Sequence, residues 1–227
     1  MSRSRLYSEF IAGRSLFDWL FLLLGIAVQV VVFCLQPDEP IAVISGIAGI
    51  ISVILCAQGK ISTFFFGFIQ ISTYLYLSLI AKFYGEVAIN TFYFCSQIYG
   101  IIVWKRNYHI TEEQSAELSA KRLSTAMMLL LSTLCLLLSC VVGYYLQNYT
   151  DDSQPWLDAF TTVPALFAQI LLMLAYREQW LVWLLVDILS AIMWARQGEY
   201  CMLAQYIFWC ANCIYGWRKW SMSTTQT

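Results

Sequence analysis

Residues 178–220 read EQWLVWLLVDILSAIMWARQGEYCMLAQYIFWCANCIYGWRKW. Two apolar runs, roughly 179–196 and 199–218, are divided by the short polar turn Ala195-Arg196-Gln197-Gly198-Glu199. Each run is close to the 20 residues needed to cross a hydrocarbon core about 30 Å thick. Lipid offers no water to the backbone, so each run must satisfy its own peptide groups as a helix. In the first run Trp180, Trp183, Asp187 and Trp194 are spaced by 3, 7 and 14 residues, which sets them on one face. In the second, Gln205, Trp209 and Asn212 are spaced by 4 and 7, with Tyr215 one turn on. Polar groups at membrane depth are costly, and their presence on two adjacent helices is informative.

The rest of the chain is built the same way. It has 227 residues, 60% hydrophobic and 12% charged, about half the charge fraction of a soluble domain. The apolar residues fall in blocks that predict eight transmembrane helices, at roughly 15–35, 40–58, 61–83, 87–104, 124–147, 155–176, 179–196 and 199–218. The expected fold is therefore an all-α integral membrane protein. A net charge of −1 says nothing of a nucleic-acid partner, but there is no basic stripe, and none is expected. The eight cysteines all lie inside apolar blocks, where thiols pack as small apolar side chains; Cys210 and Cys213, mid-helix with no second pair, are read the same way. The first block begins only at Leu16 and no small-residue cleavage site follows it, so it is expected to remain a span.

An even number of spans puts both termini on one side. That side carries eleven basic residues: Arg3, Arg5, Arg14, Lys60, Lys105, Arg106, Lys121, Arg122, Arg177, Arg218 and Lys219. The other carries Lys82 and Arg196, together with Asp38, Glu39, Asp151 and Asp152. The bias predicts cytoplasmic termini. In a bacterium, this means the inner membrane.

The chain also resembles itself. Ala81-Lys82-Phe83-Tyr84-Gly85-Glu86 is followed by Ile98-Tyr99-Gly100 and Trp104, and Ala195 to Glu199 is followed by Ile214-Tyr215-Gly216 and Trp220. The Gly-Glu pair recurs after 113 residues and the Tyr-Gly-x-x-x-Trp ending after 116, which predicts about three extra residues in the second copy. Four helices per copy place the copies the same way up, an arrangement found in transporters with a solute site between the halves.

Three further helices add to the polar faces. The span at 61–83 carries Gln70 and Tyr74, the span at 87–104 carries Asn90 and Gln97, and the span at 155–176 carries Gln169. Facing one another, these groups would line a polar, aromatic tunnel suited to a flat ring with a hydroxyl-rich part. Amides also bond helices together, so each has a structural reading beside the functional one. Glu86, Glu199, Asp18 and Asp158 are read as first-turn residues that meet the positive end of a helix dipole. Ser15 and Asp18 have the spacing of a capping box. Pro164 falls inside its helix, where it can bend it.

Glu178-x-Trp180-x-x-Trp183-x-x-x-Asp187, then Gly198, Asn212-x-x-Tyr215-Gly216 and a Trp ending, resembles the PnuC nicotinamide riboside transporters, a family with thiamine and riboflavin carriers among its members. The resemblance extends over most of the chain. It implies a fold similar to the SWEET sugar transporters: an extra N-terminal helix (15–35), a three-helix bundle (40–104), a linking helix (124–147) and a second bundle (155–218). It further implies a homotrimer, and uptake by facilitated diffusion with an intracellular kinase phosphorylating the solute so that it cannot leave. Trp180 and Trp183 would contact the nicotinamide, and Asp187, Gln70, Gln97 and Asn212 would bond the ribose or carboxamide. Tyr74, Asn90, Gln205, Trp209 and Tyr215 complete the candidate binding set, with no cofactor and no metal.

Three rivals remain beside this reading. A proton-coupled carrier would use Asp187, the one carboxylate well inside a span. An enzyme would need more than the single histidine, His109, and this chain has neither a His-rich motif nor a phosphate-binding glycine loop. A structural subunit would have helix-joining amides and no solute.

Overall fold

The computed structural model describes residues 7, 11, 14–35, 40–80, 82, 84–110 and 116–224. Arg3, Arg5, Asp38 and Glu39 of the charge comparison, the turn at 36–39, and Ala81 and Phe83 of the self-resemblance lie outside them. Eight helices of 18 residues or more run through the described residues: α1 (Leu16–Leu35), α2 (Pro40–Ala57), α3 (Thr63–Ile80), α4 (Tyr84–Arg106), α5 (Thr125–Tyr149), α6 (Pro155–Met173), α7 (Gln179–Gln197) and α8 (Tyr200–Thr224). All but α8 are long and apolar enough to cross a membrane. The 25 residues of α8 extend about 37 Å at 1.5 Å per residue. Gln205, Asn212, Arg218 and Lys219 dilute its hydropathy rather than shorten it.

The polar stretch after α4 is not wholly irregular. Tyr108–Ile110 (β1) pairs antiparallel with Ala116–Leu118 (β2), Tyr108 opposite Leu118. This ribbon is absent from the all-helical expectation. From β2 the chain runs as a strap across the ends of several helices. Ser119 N–H donates to Asn107 O (2.9 Å), Lys121 N–H to Ala175 O (2.8 Å) and Leu123 N–H to a Glu178 carboxylate oxygen (3.1 Å). Ser223 Oγ donates to Leu118 O (2.7 Å), and Leu118 and Ala120 are buried.

The helices pack in sequence. α2, α3 and α4 touch one after another, as do α5, α6, α7 and α8. The two series meet where α2 packs on α8 and α4 on α6, and α1 lies against α2 and α8. α5 is capped by Ser124, whose Oγ accepts from Met127 N–H, and it buries only Ser139 and Gly143. The Trp156 ring fills the place of a Gly143 side chain.

Local bonding recurs at one spacing. Lys60 N–H reaches back to Leu55 O at 2.9 Å, and Tyr176 N–H to Leu171 O at 2.9 Å. Gly59 and Ala175 are left-handed at φ 66° and 64°, as are Lys82 and Gly198 at 59° and 78°. The Phe64 ring meets Trp104 edge-on at 4.9 Å, and Trp180 meets Trp220 edge-on at 5.6 Å. Trp104 Nε1 donates to Leu172 O (2.9 Å) while Trp220 Nε1 donates to Cys56 O (3.1 Å). Each of these counterparts lies 116 residues further along. The 113-residue Gly-Glu match is therefore out of register with the turns: Gly198 stands opposite Lys82, and no three-residue insertion separates the copies. The dipeptide misleads because its glycines differ in role. Gly198 is the left-handed cap of α7, whereas Gly85 lies inside the first turn of α4.

The same turns explain two shortened helices. α3 stops at Ile80, ahead of left-handed Lys82. α6, expected to reach 176, stops at Met173 because Ala175 reverses the chain and Tyr176 forms a parallel bridge with Lys121. Pro164 sits within α6 without ending it.

Candidate functional site

The middle of α7 supplies the centre. Asp187 is 4% exposed and accepts a hydrogen bond from Cys213 Sγ of α8 at 3.3 Å. Cys213 is thus a partner of the buried carboxylate as well as a packing residue, and all eight thiols are free. One turn further along α7, Ser190 is buried, and Ser190 and Trp194 lie beside the Tyr206 hydroxyl of α8. Tyr206 is within electrostatic reach of Asp187 and of Glu86 on α4. Its ring is met edge-on by Trp209 at 5.0 Å. Tyr93 of α4 and Tyr74 of α3 both lie within electrostatic reach of Glu86 and Tyr206. Glu86 in turn accepts from Asn90 Nδ2 at 3.3 Å. Side chains from α3, α4, α7 and α8 thus converge around Tyr206. Tyr74 is 43% exposed, which puts it at the rim rather than the centre.

The amides on α3 and α4 are seated by glycines. A Cβ on Gly49 of α2 would lie 2.9 Å from the Gln70 amide, and one on Gly67 of α3 would lie 2.8 Å from Gln97 Nε2. Gln29 of α1 covers Gly46 in the same manner. Each amide occupies the space that a glycine leaves open on the neighbouring helix. Asn212 donates to Val53 O at 3.4 Å, and Gln169 donates to Ser96 Oγ at 2.7 Å. These two amides join α8 to α2 and α6 to α4, again 116 residues apart at both ends.

Among the described residues, buried polar atoms near this centre without a hydrogen-bond partner include the indole N–H of Trp209 and Asn212 Oδ1. An unsatisfied buried group costs about 1–3 kcal/mol. A polar guest would satisfy these groups.

Trp180 and Tyr215 are placed elsewhere. Trp180 is 3% exposed, inserted between Gly216 and Trp220 in the core at the strap end of the helices. Its counterpart at the 116-residue spacing is Phe64, a packing residue. Trp183 is half-buried beside that core, and its counterpart is Gly67. The Tyr215 hydroxyl donates to Asp18 Oδ1, and its ring lies against Phe17 and Phe21 of α1. Tyr215 therefore pins α1 and does not face Tyr206. Gln205 is half-buried, one position before Tyr206. Sequence reasoning left Tyr206, Tyr93 and Ser190 out of the set. Tyr93 shares a face with Asn90 and Gln97 at spacings of 3 and 4, a signal that was available.

Asp18, read as a first-turn residue, does more than cap. Ser15 N–H donates to Asp18 Oδ2 (2.8 Å) and Asp18 N–H to Ser15 Oγ (3.2 Å), the reciprocal capping box. Lys219 Nζ also lies 3.3 Å from Asp18 Oδ2. The carboxylate thus ties the start of α1 to the end of α8.

Span-length apolar helices that turn amides, indoles and a carboxylate inward define a multi-pass membrane protein with polar groups in its interior, and the relatives of this chain are transporters. The chain belongs to the nicotinamide mononucleotide transporter family, whose model matches residues 39–222. It is 34% identical over 226 residues to the nicotinamide riboside transporter PnuC of Haemophilus influenzae, covering 99% of this chain and 98% of that protein. The Neisseria mucosa protein of the same name is 33% identical over 221 residues, 94% of this chain and 84% of the relative. A crystal structure of the vitamin B3 transporter PnuC, 30% identical, matches the fold with a TM-score of 0.83 over 100% of this chain and 99% of that one.

Proposed function

We propose that the chain carries nicotinamide riboside across the bacterial inner membrane by facilitated diffusion, with both termini cytoplasmic. The reading rests on the clustering of Asp187, Tyr206, Trp194 and Trp209 along the second half of α7 and the facing part of α8, in a chain related to named riboside transporters. The riboside is preferred over the mononucleotide on charge. Asp187 and Glu86 both lie within electrostatic reach of Tyr206, and a phosphate dianion there would be repelled by both carboxylates. The pyridinium ring of the riboside is cationic and suits both the carboxylates and the indole faces. Thiamine, also cationic, is the alternative solute this charge argument leaves open, and riboflavin the larger one.

The two helix series α2–α4 and α6–α8 act as parallel repeats about an axis along the membrane normal, joined by α5, and move against each other around the site. At the strap end, the bonds Trp104 to Leu172 and Trp220 to Cys56 hold the halves together; their release opens that end. An intracellular kinase traps the solute as its phosphate. The chain assembles as a homotrimer, for which the exposed apolar face of α5 offers a surface.

Uptake of radiolabelled riboside into proteoliposomes tests the mechanism. Uptake should stop when inside and outside concentrations match, with no response to a pH gradient. Accumulation above that level in kinase-free vesicles, or dependence on a proton gradient lost in Asp187→Asn, would establish coupling instead. No uptake at all would leave the structural-subunit reading.

A further inference from the structure

Glu178 opens the motif that carries Trp180, Trp183 and Asp187. It stands at the N-cap of α7 and is 6% exposed, with no side-chain bond to the helix it precedes. An acidic side chain at that position ordinarily accepts from its own first turn. Glu178 instead directs Oε2 to Leu123 N–H (3.1 Å), 55 residues back along the chain, and Oε1 to Arg177 Nε (3.2 Å). The Arg177 guanidinium lies over the Trp217 ring of α8, 5.1 Å from its centroid. Two backbone bonds run alongside: Lys121 N–H donates to Ala175 O (2.8 Å) and Arg177 N–H to Lys121 O (3.0 Å). A buried carboxylate and a two-bond bridge thus fasten the strap to the turn between α6 and α7.

What the strap covers gives the bond its meaning. Leu118 and Ala120 are inserted into one apolar cluster with Phe64 and Trp104 of the first helix series and Trp180 and Trp220 of the second. Cys213, the donor to Asp187, belongs to the same cluster, and Trp183 packs against it. Strap, cluster and solute site are therefore stacked in that order from the helix ends inward. A solute leaving past Trp183 at this end meets Leu118 and Ala120. We infer that residues 118–123 form a lid over the inner end of the passage, and that Glu178 is the positioning residue that latches it. The lid must leave the α6–α7 turn before the solute can be released on that side. This role rests on the transport function proposed above and adds to it the element that closes one end.

Riboside uptake into proteoliposomes under a reversible crosslink provides the test. Lys121 and Tyr176 are bridge partners, with Lys121 Nζ 5.8 Å from the Tyr176 ring centroid. Bridged residues stand about 4.8 Å apart, inside the span that a disulfide accepts. Lys121→Cys with Tyr176→Cys is made in a full chain whose eight native cysteines are replaced by serine or alanine. Oxidation should lower uptake about tenfold or more while riboside affinity in detergent stays within about twofold, and a reductant should restore uptake. Oxidation of the cysteine-free parent should change nothing. Glu178→Ala supplies a second measurement that needs no crosslink. It frees Leu123 N–H and should speed riboside dissociation about tenfold, the worth of a charge-assisted hydrogen bond, with faster hydrogen exchange at Leu123. Glu178→Gln keeps an acceptor oxygen and should recover most of the wild-type dissociation rate. If the cysteine-free parent does not fold, the Glu178 pair decides alone. An oxidised pair that transports as fast as the reduced one would overturn the lid. Faster exchange at Leu123 in Glu178→Ala with an unchanged dissociation rate would also overturn it, since the strap would then be a fixed staple. Wild-type vesicles that take up no riboside would sink the transport reading and the lid together, an outcome distinct from failure of the lid alone.

Discussion

Truncating Trp180 and truncating Trp183 should do different things, although the two residues stand one helical turn apart. Trp180 is almost fully buried, sits edge-on to Trp220 at 5.6 Å, and occupies the space above Gly216. Removing a buried indole costs about 3–5 kcal/mol. Trp180→Ala should therefore lower the thermal midpoint in detergent on the order of 10 °C, while the folded fraction binds riboside within about twofold of wild type, a difference of about 0.4 kcal/mol. Trp183 is half-buried, and its counterpart 116 residues earlier is Gly67, so the second helix series bears a ring there that the first lacks. Stacking of a flat ring on an aromatic side chain is worth about 1–3 kcal/mol. Trp183→Ala should weaken riboside binding roughly 5- to 150-fold with a much smaller change in midpoint. Isothermal titration and differential scanning fluorimetry on the same samples separate the two effects. A Trp180→Ala variant with an unshifted midpoint and lost binding, or a Trp183→Ala variant with full affinity, would refute the assignment.

The two cross-series indole bonds are equivalent in kind: each adds a second donor to a carbonyl that already accepts a backbone N–H, from Gly59 to Cys56 O and from Ala175 to Leu172 O. Trp104→Phe and Trp220→Phe should each cost about 1 kcal/mol, and matched midpoint losses by scanning fluorimetry would support their shared role. Asp18→Asn weakens the tie to Lys219 and Tyr215; it should lower the midpoint and leave riboside affinity unchanged by titration. Because Lys219 is about a third exposed, most of that loss should come from the Tyr215 bond, and Tyr215→Phe should reproduce it. Asp187→Asn should weaken riboside binding about tenfold, near 1.4 kcal/mol, and bring the affinities for riboside and mononucleotide closer together. Gly67→Ala sets a methyl 2.8 Å from Gln97 Nε2 and should displace that amide, which a several-fold fall in riboside affinity at an unchanged midpoint would report.

Span positions were legible in the sequence because twenty apolar residues in a row have one stable conformation in lipid. The ends were harder. α6 stops early because Ala175 adopts a left-handed conformation to meet Lys121, a contact supplied by a segment more than fifty residues away in sequence. The self-resemblance was legible as a fact but not in its register: Gly85-Glu86 matches Gly198-Glu199 in letters, while the backbone matches Lys82 to Gly198. At the 113-residue offset Trp180 would stand opposite Gly67, whereas at 116 it stands opposite Phe64. Asp187 could be singled out as a lone mid-span carboxylate, and the structure places Tyr206 within its reach. The seating of Gln70 and Gln97 over glycines depends on close approach between helices that no spacing along one chain records. Tyr215 fits a binding face by spacing alone, yet its partner is Asp18, 197 residues away.

The most direct test of a solute site between the two helix series is a structure of the protein with nicotinamide riboside bound. Density for the ring should lie against Trp183 with the ribose toward Asp187 and Tyr206, bounded by α3, α4, α7 and α8. Solute density on the outer face of α1, or an interior closed by side chains with no guest at saturating riboside, would contradict the account.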